Sequence, residues 1–235
     1  MRTLAILIVA AGAVAACSPQ PKATGAPRTA GAAPAAKTAQ AQAPVDAPAG
    51  EYTLDPAHTS VNFRVSHMGL SHYTARFTKV AGKVDYDPAN PGAQTVEATI
   101  DAKSLQTNYP EPQKLDFDAQ VEKEFLAASA HPTIAFKSTK VDVTGPRTAR
   151  VTGDLTLNGV TKPVVLETAF NGGYKDSGMD PLGARIGFSA RGTIKRSDFG
   201  ISYGLPAPGT TLGVGDEIEV AIESEFTRKS APQPS

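Results

Sequence analysis

The chain has 235 residues, with 23 basic and 23 acidic side chains and a formal net charge of zero. No Lys/Arg run or basic stripe is present, so the sequence lacks the electrostatic footprint of a nucleic-acid binder. The single cysteine, Cys17, rules out a disulfide within the chain, so an exported domain must be held by its core alone.

Residues 1–16 read as a signal peptide. Arg2 supplies a positive start, and Leu4 to Val9 open an apolar stretch too short to span a bilayer. The stretch ends in Val14-Ala15-Ala16-Cys17, the form of a bacterial lipobox, so Cys17 is the expected lipidation site. Several acyl chains on one residue anchor stably, where a single chain is marginal. Ser18 stands where Asp would retain such a lipoprotein at the inner membrane, so the expected address is the outer membrane, facing the periplasm. Residues 17–50 are rich in Ala, Pro, Gln, Thr and Gly without periodicity, the composition of a disordered tether. Its extended reach is on the order of 100 Å. Residues 51–228 suit one domain, and 229–235 form a short polar tail.

Within that domain, apolar and polar residues alternate with period two. Val61, Phe63, Val65 and His67 share one parity. Tyr73, Ala75 and Phe77 continue an apolar face, which then switches parity at Val80, Gly82, Val84 and Tyr86. The switch predicts a bulge or bend near Thr78-Lys79. Val96, Ala98 and Ile100 follow beyond a Pro/Asn/Gly turn at 87–92. From Leu115 to Leu126 the pattern changes: Phe117, Val121 and Phe125 recur every four residues, predicting one amphipathic helix of about three turns. Such a helix packs on a barrel wall or covers one mouth. Ile134 and Phe136 resume the strand pattern.

The stretch Gly153 to Leu166 is the most informative. Two alternating runs flank Asn158-Gly159, the dipeptide that a type I′ hairpin turn demands at its two positive-φ positions. The turn pairs Leu157 with Val160. It puts Leu155, Leu157, Val164 and Leu166 on one face and Thr156, Val165 and Glu167 on the other. Phe170 extends the inward set. Ile186 and Phe188 follow, and then Ile218, Val220 and Ile222, which alternate with Glu217, Glu219 and Glu223. These acidic residues read as a solvated outer face.

Seven or eight meandering strands, each with one apolar face, form a closed barrel or a sandwich. Closure removes the exposed edges. An eight-stranded barrel of moderate side chains is about the size at which the interior either fills or holds one small ligand. The residues leave both outcomes open: a carrier with a cavity, or a filled structural or stress-protective envelope lipoprotein.

Four segments carry a family resemblance: Tyr52-Thr53-Leu54-Asp55 with His58 through Gly69; Gly153 through Pro163; Gly192 through Ile201; and Val214 through Ile222. On these the domain resembles the YceI-like family of exported lipid-binding proteins. The resemblance implies an all-β, closed, antiparallel, lipocalin-like barrel of about eight strands with one short helix. It implies non-enzymatic binding of a polyisoprenoid or similar long-chain lipid, and a homodimer. The ligand-facing residues are then Val61, Phe63, Val65, His67, Val96, Ile100, Ile134, Phe136, Leu155, Leu157, Val164, Leu166, Phe170, Ile186, Phe188, Ile218, Val220 and Ile222. A polar head would sit near His67, Ser71, His72 or Lys162. One departure stands out. Family members commonly carry Asn-x-x-Arg-Asp-x-His-Leu ahead of the helix, whereas here Asn108 is followed by Tyr109-Pro110-Glu111-Pro112-Gln113-Lys114. This altered stretch is expected to border the ligand entrance.

Rival chemistries find little support. His58, His67, His72 and His131 show no His-x-x-x-His spacing and no carboxylate-flanked cluster, so no metal is expected. No Gly-x-Ser-x-Gly elbow occurs, and no nucleophile lies beside a base in sequence. The expectation is therefore a binding protein without cofactor, not an enzyme.

Overall fold

The computed structural model describes residues 45–229. The signal peptide, Cys17, the tether up to residue 44 and the tail from residue 230 lie outside the described residues.

Eleven strands form one antiparallel sheet that closes on itself. They are β1 (Gly50–Leu54), β2 (Ser60–His67), β3 (Ser71–Phe77), β4 (Val80–Tyr86), β5 (Thr95–Asp101), β6 (Leu105–Gln106), β7 (Thr133–Gly145), β8 (Thr148–Leu157), β9 (Val160–Tyr174), β10 (Ala184–Lys195) and β11 (Val214–Arg228). β1 pairs with β4, and β2 with β3, along one continuous line, while β4 and β3 pair in turn with β5 and β6. The first six strands are thus three long staves, each broken once. With β7 to β11 they make an eight-stave meander. β11 closes it by pairing with β1 at Leu54↔Phe226 and with β2 at Phe63↔Val220.

Each break has a local cause. Between β1 and β2, Pro56 opens a 3-10 turn whose Ala57 N–H is capped by the Asp55 carboxylate at 3.0 Å. The expected parity switch at Thr78-Lys79 is the break between β3 and β4. There the Thr78 N–H donates to the Ser104 carbonyl at 3.0 Å, and the Lys79 N–H donates to Ser104 Oγ at 3.1 Å. Ser104 belongs to the 3-10 turn that breaks the next stave, so neighbouring staves bend together.

The Asn-Gly hairpin forms as read. Leu157 pairs with Val160, and Asn158 and Gly159 have φ of 52° and 73°. Any β-carbon at Gly159 would also lie 2.4 Å from His131 Cε1, so glycine is required twice over. The contact gives His131 a packing role against the turn.

The helix α1 (Phe117–Glu124) is shorter than expected. Asp116 caps it, accepting from the Ala119 N–H at 3.0 Å, and the chain leaves it through Ala127 at φ 46°. The start of the fold also differs from the expected boundary at 51. Val45 bridges to Gly173, Ala47 is buried, and the Pro48 carbonyl accepts from the Tyr52 hydroxyl at 2.7 Å. These last residues of the expected tether belong to the barrel, because Ala47 fills a gap beside Ile186 and Gly173.

The buried core is split. One cluster lies at the end that carries α1 and includes Phe77, Leu105, Ile134, Leu157, Phe199 and Ile201. The other lies at the opposite end, around Tyr52, Tyr86, Ile186 and Phe226. The three largest fully buried side chains are Phe199 in the first cluster and Tyr52 and Ile186 in the second.

Candidate ligand-binding cavity

Between the two clusters the barrel is hollow. Its cavity has a volume of about 1020 Å³, at the upper end of what small-molecule sites occupy. On β11 the lining runs from Val214 to Phe226. That is roughly 40 Å along the strand and about 30 Å along the barrel axis after strand tilt.

The wall follows directly from strand periodicity. β2 contributes Val61, Phe63, Val65 and His67; β5 contributes Val96 and Ile100; β7 contributes Ile134 and Phe136. The hairpin contributes Leu155, Leu157, Val164, Leu166 and Phe170. β10 and β11 contribute Phe188, Ile218, Val220 and Ile222. Ile186 is the exception among the expected ligand-facing residues. It shares the inward parity of Phe188 but is 1% exposed and packs into the cluster around Tyr52, so it does not border the cavity. Lys162 departs as well. It pairs with Leu155 across the hairpin, yet it is exposed and off the cavity wall. A lysine so close to the turn keeps its ammonium in water.

Several lining residues carry a signal that sequence reasoning had in hand but did not assign. Ala75, Phe77, Val80, Val84 and Tyr86 line the cavity on the parities already read across the β3–β4 break. Val121 and Phe125 reach it from the apolar stripe of α1 and its end. Tyr109, from the altered stretch ahead of the helix, also lines it, with its ring 5.6 Å from Phe117. Phe117 in turn meets Tyr73 edge-on at 5.7 Å. At the other end Tyr86, Phe170, Phe188 and Phe226 form a chain of ring contacts of 5.6, 5.3 and 6.1 Å.

No carboxylate and no lysine lines the cavity among the described residues. Its basic side chains are His67, His72, Arg147 and Arg196. Arg196 is the least expected of these: it continues the inward parity of Ala190 and Ile194, yet a charge there argues against burial. It is 3% exposed and donates to four backbone carbonyls, those of Ile201 (3.1 Å), Tyr203, Val214 and Gly215 (2.8 Å each). Burial pulls its pKa below the ordinary guanidinium value, against the attraction of Asp216. The residue therefore pins the loop between β10 and β11 onto the start of β11. His67, Ser71 and His72 are exposed lining residues at the end that carries α1. Val45, Pro88, Pro91 and Val143 are their counterparts at the opposite end.

Outside the barrel, Asp55, His58 and Glu225 bring three ligand atoms within 4.8 Å of one another. Arg185 Nη1 already sits on two of them, at 2.8 Å from Asp55 Oδ2 and 2.5 Å from Glu225 Oε2, and its Nε donates to Asp180 at 2.8 Å. A metal ion here would have to displace that guanidinium. At the cavity rim, His72 Nε2 lies 3.9 Å from Glu219 Oε1.

A family model described as the YceI-like domain matches residues 52–226. The chain belongs to the YceI-like domain family. It is 44% identical over 178 residues to a UPF0312 protein of Ectopseudomonas mendocina, covering 74% of this chain and 87% of that one. It is 41% identical over 189 residues to a UPF0312 protein of Vibrio cholerae, covering 79% and 92%. Solved structures share the fold. The YceI protein of Campylobacter jejuni superposes with a TM-score of 0.57 at 31% identity, covering 76% of this chain and 98% of that one. BcnA of Burkholderia cenocepacia gives 0.61 at 24% identity, covering 74% and 99%. A polyisoprenoid binding domain from Saccharophagus degradans, implicated in plant cell wall breakdown, gives 0.53 at 14% identity, covering 76% and 98%.

Proposed function

We propose that this YceI-like chain binds a polyisoprenoid or a similar long-chain amphiphilic lipid inside its barrel, without chemistry, as a membrane-tethered periplasmic carrier or buffer. One observation carries the reading. The cavity of about 1020 Å³ is long, apolar and free of carboxylates among the described residues. A flexible hydrocarbon chain recovers roughly 25 cal/mol for each Å² of apolar surface it hides from water. Burial of about 300 Å² is worth about 7 kcal/mol before the costs of association. The fold shared with a polyisoprenoid binding domain supports the same ligand class. A polar head would rest among His67, Ser71 and His72, where the lining reaches solvent.

The carrier role rests further on Cys17: acylation there would anchor the barrel to the outer membrane, facing the periplasm, and a homodimer is the proposed assembly. Equilibrium titration of delipidated protein with a fluorescent prenol, followed by competition with unlabelled polyprenol, tests the reading. Saturable, competable binding at one site per barrel is expected. Absence of uptake at any concentration short of micelle formation would overturn it.

A further inference from the structure

The end of the barrel that carries α1 exposes large apolar side chains on two joined loops. Leu70 is 87% exposed, Leu212 74% and Tyr203 65%. Isolated exposed leucines need no explanation, but these are held together. The Met68 N–H donates to the Gly213 carbonyl at 2.7 Å, and the Val214 N–H donates to the Gly204 carbonyl at 2.7 Å. These bonds tie the β2–β3 turn to both strands of the loop ahead of β11. Arg196, buried beneath, holds the Tyr203 and Val214 carbonyls. The Tyr203 ring stands edge-on to Phe125 at 5.3 Å.

Each member of this collar adjoins the cavity wall. Leu70 lies between His67 and Ser71 in the turn, Leu212 lies two residues before Val214, and Tyr203 touches Phe125; His67, Ser71, Val214 and Phe125 all line the cavity. An apolar rim is thus continuous with an apolar interior. The chain enters the barrel at the other end, through Val45 beside Gly173. About 28 residues separate Cys17 from Val45, an extended reach on the order of 90 Å. That exceeds the barrel's length of roughly 30 Å, so a barrel anchored at Cys17 can turn its collar to the membrane.

We infer that the collar of Leu70, Tyr203 and Leu212 is a bilayer-docking surface through which the lipid ligand passes between membrane and cavity. The inference rests on the lipid-binding reading above. It deepens that reading by naming the lipid surface as the partner and this end as the port. A prenyl chain that slides from bilayer to barrel under such a rim never exposes its length to water. Uncovered passage would cost about 0.8 kcal/mol per methylene, or roughly a fourfold slowing for each.

The test uses the full chain and vesicles of phosphatidylethanolamine and phosphatidylglycerol carrying a dansylated prenol. The double variant Leu70→Ser/Leu212→Ser is compared with wild type and with Met179→Ser, which alters an 89% exposed methionine off the cavity wall. Vesicle flotation of non-acylated protein reads docking, dye transfer reads passage, and binding of prenol from detergent micelles reads the cavity itself. The expected result is roughly a tenfold or greater loss of flotation and transfer in the double variant, with micellar binding intact and Met179→Ser behaving as wild type. Equal flotation and transfer by wild type and the double variant would overturn the port, as would an equal loss in Met179→Ser. Failure of wild type to take prenol even from micelles would instead sink the lipid-binding reading, and flotation would still report on the collar.

Discussion

Phe136 occupies the space that a side chain at position 153 would need. A β-carbon at Gly153 would lie 2.4 Å from Phe136 Cζ and 2.6 Å from the Lys137 carbonyl oxygen. The missing side chain on β8 lets the aromatic ring on β7 lie against the wall and leaves the lumen beside it open.

Gly153→Val therefore forces the Phe136 ring toward the lumen. The expected cost is about 1–3 kcal/mol from overpacking. A fall in prenol capacity should accompany it. Chemical denaturation and probe titration check the two effects together; a variant with unchanged stability and capacity would contradict the packing argument.

Ala190 offers a cleaner test of the lumen. It lines the cavity between Thr168 and Ile222 on the neighbouring strands. Ala190→Phe adds an aromatic ring to empty space, so the fold is kept while the channel narrows. Prenol affinity should fall at least about tenfold, roughly 1.4 kcal/mol, with the thermal midpoint of the empty protein held or raised. Calorimetry and a melting curve would read both quantities.

Arg196 should prove structural first. Its guanidinium satisfies four carbonyls, those of Ile201 and Tyr203 in the loop that precedes β11 and those of Val214 and Gly215 at the start of β11. Arg196→Met leaves those acceptors buried without donors, at an expected cost of about 3 kcal/mol or more. Arg196→Lys supplies fewer donors from a point charge and should recover only part of that. Urea denaturation of the three proteins ranks them.

Acid should loosen the charge cluster around Arg185. The hydrogen bond from Arg185, with those from the Leu182 N–H and the Tyr174 hydroxyl, holds the Asp180 carboxyl at about 2, below its ordinary 3.8. Burial pushes Asp55 up, but hydrogen bonds from His58, Arg185 and the Ala57 N–H outweigh it and hold that carboxyl low. Both groups bind protons more weakly in the folded than in the unfolded chain. Their contribution is therefore complete above the ordinary carboxylate value and is lost as pH falls through the folded values. The thermal midpoint should hold between about pH 7 and pH 5 and fall below about pH 4. Asp180→Asn should flatten that fall, and an unchanged slope would show that other groups govern acid stability.

Strand periodicity made most of the wall legible. Period two fixed which side of each stave faces inward, and the Asn158-Gly159 turn fixed the register of the hairpin. Parity tells inside from outside, but not lumen from plug. Ile186 and Phe188 read alike, yet one packs into the cluster of Tyr52 and Ala47 while the other borders the cavity. That difference depends on distance along the axis, which is set by strand stagger. Arg196 stayed hidden because a charge on an inward parity argues against burial until its four carbonyl partners are known. The collar stayed hidden because its members come from loops without period, brought together by the hydrogen bonds of Met68 and Val214. Residues 45–49 read as tether because their small side chains carry no pattern, although Ala47 finds its place only in the assembled barrel.

The most direct test of the central claim is native mass spectrometry of the chain purified from a bacterial periplasm, with organic extraction of whatever accompanies it. A stoichiometric adduct that extraction identifies as a prenyl or other long-chain lipid, absent from the Ala190→Phe variant, is the predicted result. A bare protein mass that persists after incubation with polyprenol would contradict the claim and leave a hollow barrel without its ligand.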